Sequence, residues 1–199
     1  MHDSPLRRGG RATRILTIGL LAGLAGLAAC GSDGPETVAL YTTAAPAPVP
    51  LETRAIDPAW VEGNGETLGT TVASGEYWAA VVGVGTGAEP FVEFDLSQAF
   101  FGAACVQKFG DDVDACANDY GVAPEPHGTL AAQQSRLDFV TVVGIDQRNF
   151  AVTSAELVAL VGGSQPAAEA PDDYQYVAFP FIVTVSSGVI TAARQIWTP

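Results

Sequence analysis

Two pairs of strand-like segments, each joined by only a few residues, constrain the fold of this 199-residue chain more than any other feature. Connections of this length join antiparallel neighbours, because a parallel pair of strands needs a crossover of a dozen or more residues. The chain must therefore build a sheet at least partly from hairpins. The first pair covers 77–84 and 91–96, with a turn around Gly85-Thr86-Gly87. The second pair covers 176–185 and 189–197, with a turn at Ser187-Gly188.

One of these strands also shows which of its faces is buried. Val92, Phe94 and Leu96 alternate with Glu93 and Asp95, as in a strand that has one face in the core and one in water. Paired carboxylates such as Glu93 and Asp95 can perform the acid and base steps of glycoside hydrolysis. Two polar residues on the wet face of a strand are, however, far more common than a catalytic pair.

Two short helices and two further strands complete the pattern. Ser97 and Thr153 are residues of the kind that cap helix N-termini, and glycines follow where each helix should end. Glu156, three residues after Thr153, adds the second half of a capping box. The sequence therefore predicts an α+β fold with a mainly antiparallel sheet, which either has the helices on one side or is curled into a small barrel. The predicted helices are 97–109 and 153–161, and the strands are 137–145 and 149–153.

The amino terminus has the composition of an export signal. Four arginines lie within residues 7–14, and residues 15–29 are apolar and uncharged. This apolar stretch is shorter than the roughly 20 residues that a transmembrane helix needs, so it is typical of a secretory signal. The sequence Leu-Ala-Ala-Cys that ends at Cys30 resembles the bacterial lipobox, which implies a lipid on Cys30. We therefore expect residues 1–29 to be a lipoprotein signal peptide and the protein to be anchored to a membrane of the cell envelope, outside the cytoplasm.

The segment after Cys30 is predicted to be a tether. Residues 44–50 contain three prolines that alternate with Ala or Val, which favours an extended polyproline conformation and forms no core. The residues that follow are rich in turn formers, with Trp60 as a candidate exception that packs back onto the domain. We therefore expect a flexible tether over 30–70 and a single globular α+β domain over 71–199.

The charge balance excludes one class of partner. The chain has 9 basic and 22 acidic residues, a formal net charge of −13. Four basic residues and one acidic residue precede Cys30, so the remainder holds 5 basic and 21 acidic residues, a net charge of −16. Phosphate contacts need Lys and Arg, and Lys108 is the only lysine, so we expect no nucleic-acid binding. The same balance provides no electrostatic attraction to anionic lipids.

The three cysteines indicate one lipid site and one disulfide. Acylation would consume Cys30, which leaves Cys105 and Cys116 as an even pair in an oxidising compartment, where disulfides form and persist. Two buried free thiols are the alternative. On one unbroken helix, eleven residues would separate the two Cα atoms by about 16 Å, whereas a disulfide needs less than about 7 Å. The bond therefore requires the chain to turn back, which it can do at Gly110 and the aspartates that follow.

The sequence contains no pattern typical of a serine nucleophile, a metalloprotease or a phosphate-binding loop. Residues 83–87 are rich in glycine, but they lack the third glycine and the helix of a nucleotide-binding loop, so a hairpin turn is the better interpretation. His127 is the only histidine after Cys30 and lies between Pro and Gly, which predicts an exposed loop residue and no zinc site. We expect no cofactor.

One acidic segment is a weak candidate for calcium. Ca²⁺ prefers several oxygen ligands on a flexible loop. The spacing here lacks the glycine and the terminal glutamate of an EF-hand, so a solvated acidic loop is the favoured interpretation and no metal site is predicted. The acidic residues are Asp111, Asp112, Asp114 and Asp119, with Asn118 beside them.

Four stretches resemble a known group of proteins, and they are 76–79, 94–104, 118–120 and 188–199. They include the runs Glu-Tyr-Trp-Ala, Phe-Asp-Leu-Ser-Gln and Asn-Asp-Tyr, and the closing Trp-Thr-Pro. Over about residues 75–199 the chain is similar to uncharacterised secreted lipoproteins of actinobacteria. The shared residues have the character of packing and turn positions, so the resemblance implies neither an activity nor catalytic residues.

Two functions from different classes remain open. The first is a non-enzymatic binding module of the cell envelope, whose partners are the membrane, through the lipid on Cys30, and an unidentified protein or small molecule. The second is a surface-anchored hydrolase that uses carboxylates such as Glu93 and Asp95. The absence of a nucleophile–base signature favours the first function. A deep pocket with converging carboxylates would favour the hydrolase, and a shallow apolar surface would favour the binding module.

Overall fold

The computed structural model describes residues 40–64, 72–110, 112, 114–124 and 126–199. All of them belong to one compact unit, Thr37–Pro199. The predicted signal peptide, the predicted lipidation site Cys30 and Asp111 of the acidic segment lie outside the described residues. Within this part of the chain, none of the helices has the length and apolar character needed to cross a membrane.

The described residues form strands and short helices. The strands are β1 (Thr42–Ala44), β2 (Gly75–Gly85), β3 (Phe91–Ser97), β4 (Ala99–Phe101), β5 (Tyr120–Val122), β6 (Gly128–Gln133), β7 (Phe139–Val143), β8 (Asn149–Val152), β9 (Phe181–Ser186) and β10 (Val189–Gln195). The α-helices are α1 (Pro58–Asn64), α2 (Ala103–Phe109) and α3 (Ser154–Val161), and a 3-10 turn covers Gln134–Arg136.

Eight strands form one mixed sheet in the order β1-β8-β7-β10-β9-β2-β3-β6, and β4 pairs separately with β5. All neighbours are antiparallel except β7 and β10, which are parallel. The predicted α+β class with a mainly antiparallel sheet is therefore confirmed. Within the described residues β1 and β6 are the two edges of the sheet, which stays open, so the alternative of a small barrel is wrong.

Both predicted hairpins are present, because β2 pairs with β3 and β9 pairs with β10. Residues 83–85 accordingly belong to a strand and not to a nucleotide-binding loop. Between β9 and β10, Ser187 and Gly188 have φ angles of 50° and 79°. Two successive positive φ angles give the tight turn whose twist matches the strands it joins, and glycine adopts them without steric cost.

The strand predicted over 176–185 is shorter than expected and begins at Phe181. In the residues just before Phe181, backbone carbonyls accept hydrogen bonds from the buried side chain of Gln195 and not from a neighbouring strand. The Gln195 Nε2 group donates to the carbonyls of Val177 and Phe179, at 2.8 and 3.1 Å, and Gln195 Oε1 accepts from the Val143 N–H at 3.0 Å. This amide is fully buried. A buried polar group is tolerated when its hydrogen bonds are made, as they are here.

Helix α3 covers one face of the sheet. Its N-terminus is capped as predicted, since the Thr153 side chain accepts a hydrogen bond from the Glu156 N–H at 3.1 Å. Leu157 is fully buried in the same core cluster as Val92 and Phe94 of β3. The alternation read from the sequence of β3 is therefore confirmed. Burying each such side chain contributes about 1.5–3 kcal/mol.

The first predicted helix is shorter than the sequence indicated. Ser97 ends β3, and the residues after it form β4 before the helix begins at Ala103. The Ala99 N–H donates to the Thr53 hydroxyl at 2.8 Å, and the Phe101 N–H donates to the Leu51 carbonyl at 2.8 Å. These distant partners favour an extended conformation, which the consecutive aromatic residues of β4 also prefer.

Much of the segment predicted as a tether belongs to the fold. Residues 40–60, which we call the N-terminal belt, include β1, which pairs with β8. Ile56 and Trp60 are 4% and 5% exposed. The Trp60 ring lies so close to Gly128 that a Cβ atom at that position would come within 1.9 Å of it. The prediction of a flexible tether as far as residue 70 is therefore wrong for the belt, which belongs to the folded domain. A few large apolar residues in this turn-rich sequence bury enough surface to order it.

Candidate ligand-binding cleft

A cleft of about 300 Å³ lies beside the β4–β5 pair and the residues that follow β10. Phe101 and Tyr120 line it from the strand pair, and Trp197 lines it from the C-terminal segment. Val49 of the N-terminal belt also contributes to its wall. The cleft is therefore assembled from three parts of the chain that are far apart in sequence.

The aromatic wall of the cleft rests on the face of the sheet opposite α3. Along β2, neighbouring side chains point to opposite faces, so Tyr77 joins the core beneath α3 while Trp78 joins a second cluster. The ring centroid of Tyr120 is 4.8 Å from that of Trp78, and that of Phe101 is 5.9 Å from that of Trp78. Trp197 stands further out and is 38% exposed. The cleft thus has a buried aromatic base and an accessible aromatic rim.

A disulfide holds the polar side of the cleft. Cys105 of α2 and Cys116 are bonded, with their Cα atoms 6.1 Å apart. The turn that this pairing requires occurs at Gly110, which ends α2 with a φ angle of 64°. The pairing predicted from the sequence is therefore present. It places the residues after Cys116 beside α2, and these include Asn118 and Asp119 of the cleft.

Asp119 has an exposed side chain and a firmly held backbone. Its N–H donates to the Cys116 carbonyl at 3.0 Å, and its own carbonyl accepts from the Gly102 N–H at 2.8 Å. Its φ angle of 60° lies in the left-handed region, where Asp is tolerated better than most residues. Among the described residues, no basic group lies within 4 Å of the Asp119 carboxylate. The carboxylate is therefore placed at the cleft without an ion-pair partner from the described chain.

A second, smaller cleft of about 220 Å³ adjoins the first. Val49, Ile196 and Trp197 line both of them, and Pro46 and Asn149 line only the second. The exposed Val49 and Trp197 therefore stand between two depressions. Together they make a shallow, mainly apolar surface rather than a deep pocket with converging carboxylates.

The carboxylates of the hydrolase hypothesis lie elsewhere. Glu93 and Asp95 are on the outward side of β3, and neither lines either of these clefts. Asp95 Oδ2 is 3.7 Å from His127 Nδ1, and His127 Nε2 is 2.6 Å from the Pro124 carbonyl oxygen. Burial raises the pKa of the Asp95 carboxyl, and the neighbouring His127 opposes that rise. His127 is therefore a loop residue, as expected, but its side chain is 36% exposed and has Asp95 as a partner.

The acidic segment does not assemble into a metal site among the residues that are described. The Asp112 carboxylate accepts hydrogen bonds from the N–H groups of Asp114 and Ala115, both at 3.2 Å, and so caps a local turn. Asp119 lies at the cleft. Over the described ranges, no group of three or more His, Cys, Asp or Glu residues is arranged to hold a metal ion.

The Glu156 carboxylate, predicted to be the second half of the capping box, instead joins the belt to α3. Glu156 Oε1 accepts hydrogen bonds from the Tyr41 hydroxyl at 2.7 Å and from the Ala167 N–H at 2.9 Å. Burial, with the hydrogen bond to Glu156, raises the pKa of Tyr41, and burial raises the pKa of Tyr176 to about 12. Both phenols therefore stay protonated at neutral pH. The network connects separate segments and has the character of a structural link.

Beside Trp60 there is a further depression of about 250 Å³, lined by Arg54, Asp57 and Tyr77. The Trp60 Nε1 group is buried and has no hydrogen-bond partner among the described residues. Basic, acidic and apolar side chains are mixed here, so the depression selects for no single kind of ligand.

Comparisons with models of protein families, with curated proteins and with solved structures found no significant match for this chain. The resemblance to secreted lipoproteins therefore stays a prediction.

Proposed function

We propose that this chain is a non-enzymatic binding module of the cell envelope, tethered through a lipid on Cys30, and that the aromatic cleft is its binding site. One observation carries the binding part of the proposal: Phe101, Tyr120 and Trp197 line a shallow cleft, and the described residues around it include no nucleophile paired with a base. The anchoring part is supported by the apolar stretch 15–29 and the lipobox that ends at Cys30.

The exposed surface around the cleft supports a role in binding. Val49, Leu51 and Trp197 are 52%, 70% and 38% exposed. Large apolar side chains that are exposed together are unfavourable in water unless they contact a ligand or a partner. Val49 and Trp197 both line the cleft, so a bound molecule would cover them.

Site-specific photocrosslinking in the intact envelope tests the binding site. A photoreactive residue at Val49, on the rim of the cleft, should form adducts with the bound molecule. The matched control is a photoreactive residue at Val82, which is a valine of β2 with almost the same exposure, 53%, and lines none of the clefts described above. We expect adducts at position 49 but not at position 82. The adducts at position 49 should decline in a Trp197→Leu background. Equal labelling at both positions would contradict the proposed site.

Lipid labelling tests the anchor. Cys30→Ala should abolish the incorporation of labelled palmitate and shift the protein out of the membrane fraction, because the thioether can form only at that sulfur. Cys105 and Cys116 provide an internal control, since a disulfide leaves them no thiol to acylate. Palmitate that persists in the Cys30→Ala protein would show that the anchor is assigned to the wrong residue.

A carboxylate-dependent hydrolase is the second candidate, and the contact between Asp95 and His127 favours it. A carboxyl group whose pKa is raised by burial and that lies beside a histidine is a candidate general acid or base. This candidate predicts turnover of chromogenic esters or glycosides that Asp95→Asn abolishes and that Asp172→Asn, a charge change at an exposed site, leaves unchanged. No turnover by the native protein would remove it.

A further inference from the structure

Three aromatic rings and one carboxylate without an ion-pair partner line the same cleft. Phe101, Tyr120 and Trp197 supply the rings, and Asp119 supplies the carboxylate. The face of an aromatic ring carries partial negative charge and attracts cations, and clusters of such rings recognise quaternary ammonium groups. A nearby carboxylate adds direct Coulomb attraction. The lining therefore matches a ligand that is both apolar on its surface and positively charged.

The charges around the cleft support the same ligand class. No Lys or Arg is among the described residues that line it. Arg148, whose neighbours Gln147 and Asn149 line the adjoining cleft, is itself paired with Asp146 and Asp173. The whole chain carries a formal net charge of −13, so its field attracts cations and repels anions. An anionic ligand would meet repulsion here, and the described lining residues supply no basic group to compensate for it.

The chain already pairs cations with aromatic rings at two other places. Lys108 Nζ is 5.1 Å from the centroid of the Phe100 ring, and the Arg148 guanidinium is 5.5 Å from that of Phe150. Those rings have internal cations as neighbours. Trp197 is 38% exposed and lines the cleft, so its surface is accessible to a cation from outside the chain.

We propose that the aromatic cleft binds a small organic cation, and that a quaternary ammonium group is the chemistry it recognises. This proposal rests on the proposed binding function and specifies its ligand class. The volume of about 300 Å³ is at the lower end of the range for ligand sites, which suits a small molecule or one headgroup. The backbone contacts of Asp119 and the disulfide at Cys116 hold the carboxylate side of the site in place before binding.

Choline and its neutral carbon isostere test the proposal directly. The full-length protein, in maltoside micelles that contain no choline group, is titrated with choline and with 3,3-dimethylbutan-1-ol, and binding is followed by tryptophan fluorescence and calorimetry. The two ligands have the same shape and differ in the positive charge. Choline should bind saturably and at least tenfold more tightly than the alcohol. Equal affinities, or no saturable binding of choline in the millimolar range, would overturn the proposal.

Two variants locate the site. Trp197→Leu should weaken choline binding by roughly fivefold to thirtyfold, which is the range expected when a desolvated cation loses an aromatic face. Asp119→Asn should weaken it severalfold, because the charge is lost while the shape is kept. Asp172→Asn removes the same charge from an exposed site outside the cleft and should leave the affinity unchanged. Thermal melts confirm that each variant is folded, and choline binding that survives both cleft variants would overturn the assignment.

The cation can come from a free molecule or from a lipid headgroup, and competition separates these sources. Phosphatidylcholine vesicles that displace choline would assign the site to a headgroup, and vesicles that do not would assign it to a free cation; either result supports the ammonium chemistry. Failure of this proposal is distinguishable from failure of the proposed function. Adducts at Val49 together with no choline binding would keep the binding site and reject its ligand class.

Discussion

The two faces of the sheet are covered in different ways, and the comparison separates what stabilises this protein from what it presents to a ligand. On one face, helix α3 lies over a continuous apolar core in which Phe94, Leu157 and Phe181 are fully buried. On the other face, the cover is made of β4, β5, the disulfide loop and the belt, and it leaves a cleft rimmed by Trp197. The face beneath α3 therefore holds the larger buried core, whereas the irregular segments on the other face leave an aromatic cleft that a ligand can fill.

The largest effect on stability should come from the helix-covered face. Leu157→Ala removes a side chain with 0% exposure from the core, and we expect it to lower the free energy of unfolding by about 3–5 kcal/mol, from lost burial and the cavity left behind. Urea denaturation provides the measurement. Val106→Ala on α2 removes an apolar side chain that is 61% exposed, and it should change stability by less than about 0.5 kcal/mol. Comparable losses in the two variants would contradict the division between the faces.

The next effect should come from the disulfide on the other face. Replacing both Cys105 and Cys116 by Ala should lower the free energy of unfolding by about 2–3 kcal/mol, because the loop that the bond closes is short. The same variant should increase hydrogen exchange over 114–119 while leaving α3 protected. Increased exchange in α3 of the folded variant would show that the two faces are not independent.

Trp197→Leu should weaken ligand binding with little change in stability. The side chain is 38% exposed, and the Phe179 ring, with its centroid 6.5 Å away, is its aromatic neighbour. We therefore expect unfolding to change by no more than about 1 kcal/mol, while ligand adducts at the cleft decline. Paired urea and crosslinking measurements give both numbers. A loss of stability as large as that of Leu157→Ala would make Trp197 a core residue and not a rim residue.

The smallest effect should be a pH dependence at Asp95. Because burial raises its pKa in the folded protein, the folded state binds protons more readily than the unfolded state, and stability falls as the pH rises from about 4 through the raised pKa. Asp95→Asn should therefore be slightly more stable than the native protein at pH 7, and this advantage should disappear at pH 4. The effect is small because the side chain is 34% exposed. Asp172→Asn should show no such pH-dependent gain, and an equal gain for Asp95→Asn at both pH values would contradict the assigned cause.

Local patterns in the sequence predicted the elements whose partners lie nearby. These elements depend on residues no more than eleven positions apart; they are the alternation in β3, the turn at Ser187-Gly188, the cap at Thr153 and the pairing of Cys105 with Cys116. Their physical causes are steric and short-ranged, so the sequence alone can indicate them. The disulfide was also predictable because only two cysteines follow Cys30, so they can pair only with each other within the chain.

The parts that escaped prediction depend on distant partners. β6 contains glycine and two adjacent alanines, which carry no strand pattern, and its conformation is fixed by pairing with β3. The contact between His127 and Asp95 follows from that pairing, since Asp95 lies opposite Thr129 in the register. The cleft likewise brings Val49, Tyr120 and Trp197 together from three remote segments. No short-range pattern in the sequence contains this information.

The N-terminal belt has a consequence for the order in which the molecule can fold. It begins at the edge of the sheet, where β1 pairs with β8, contributes Val49 to the cleft on one face, and ends with Trp60 in the core of the other. A ribosome produces this segment first, yet its partners Asn149–Val152 and Gly128 are made much later. Closing such long loops is slow, because their entropy is lost before the contacts form. The belt is therefore made before most of the domain but is among the last segments to reach its native contacts.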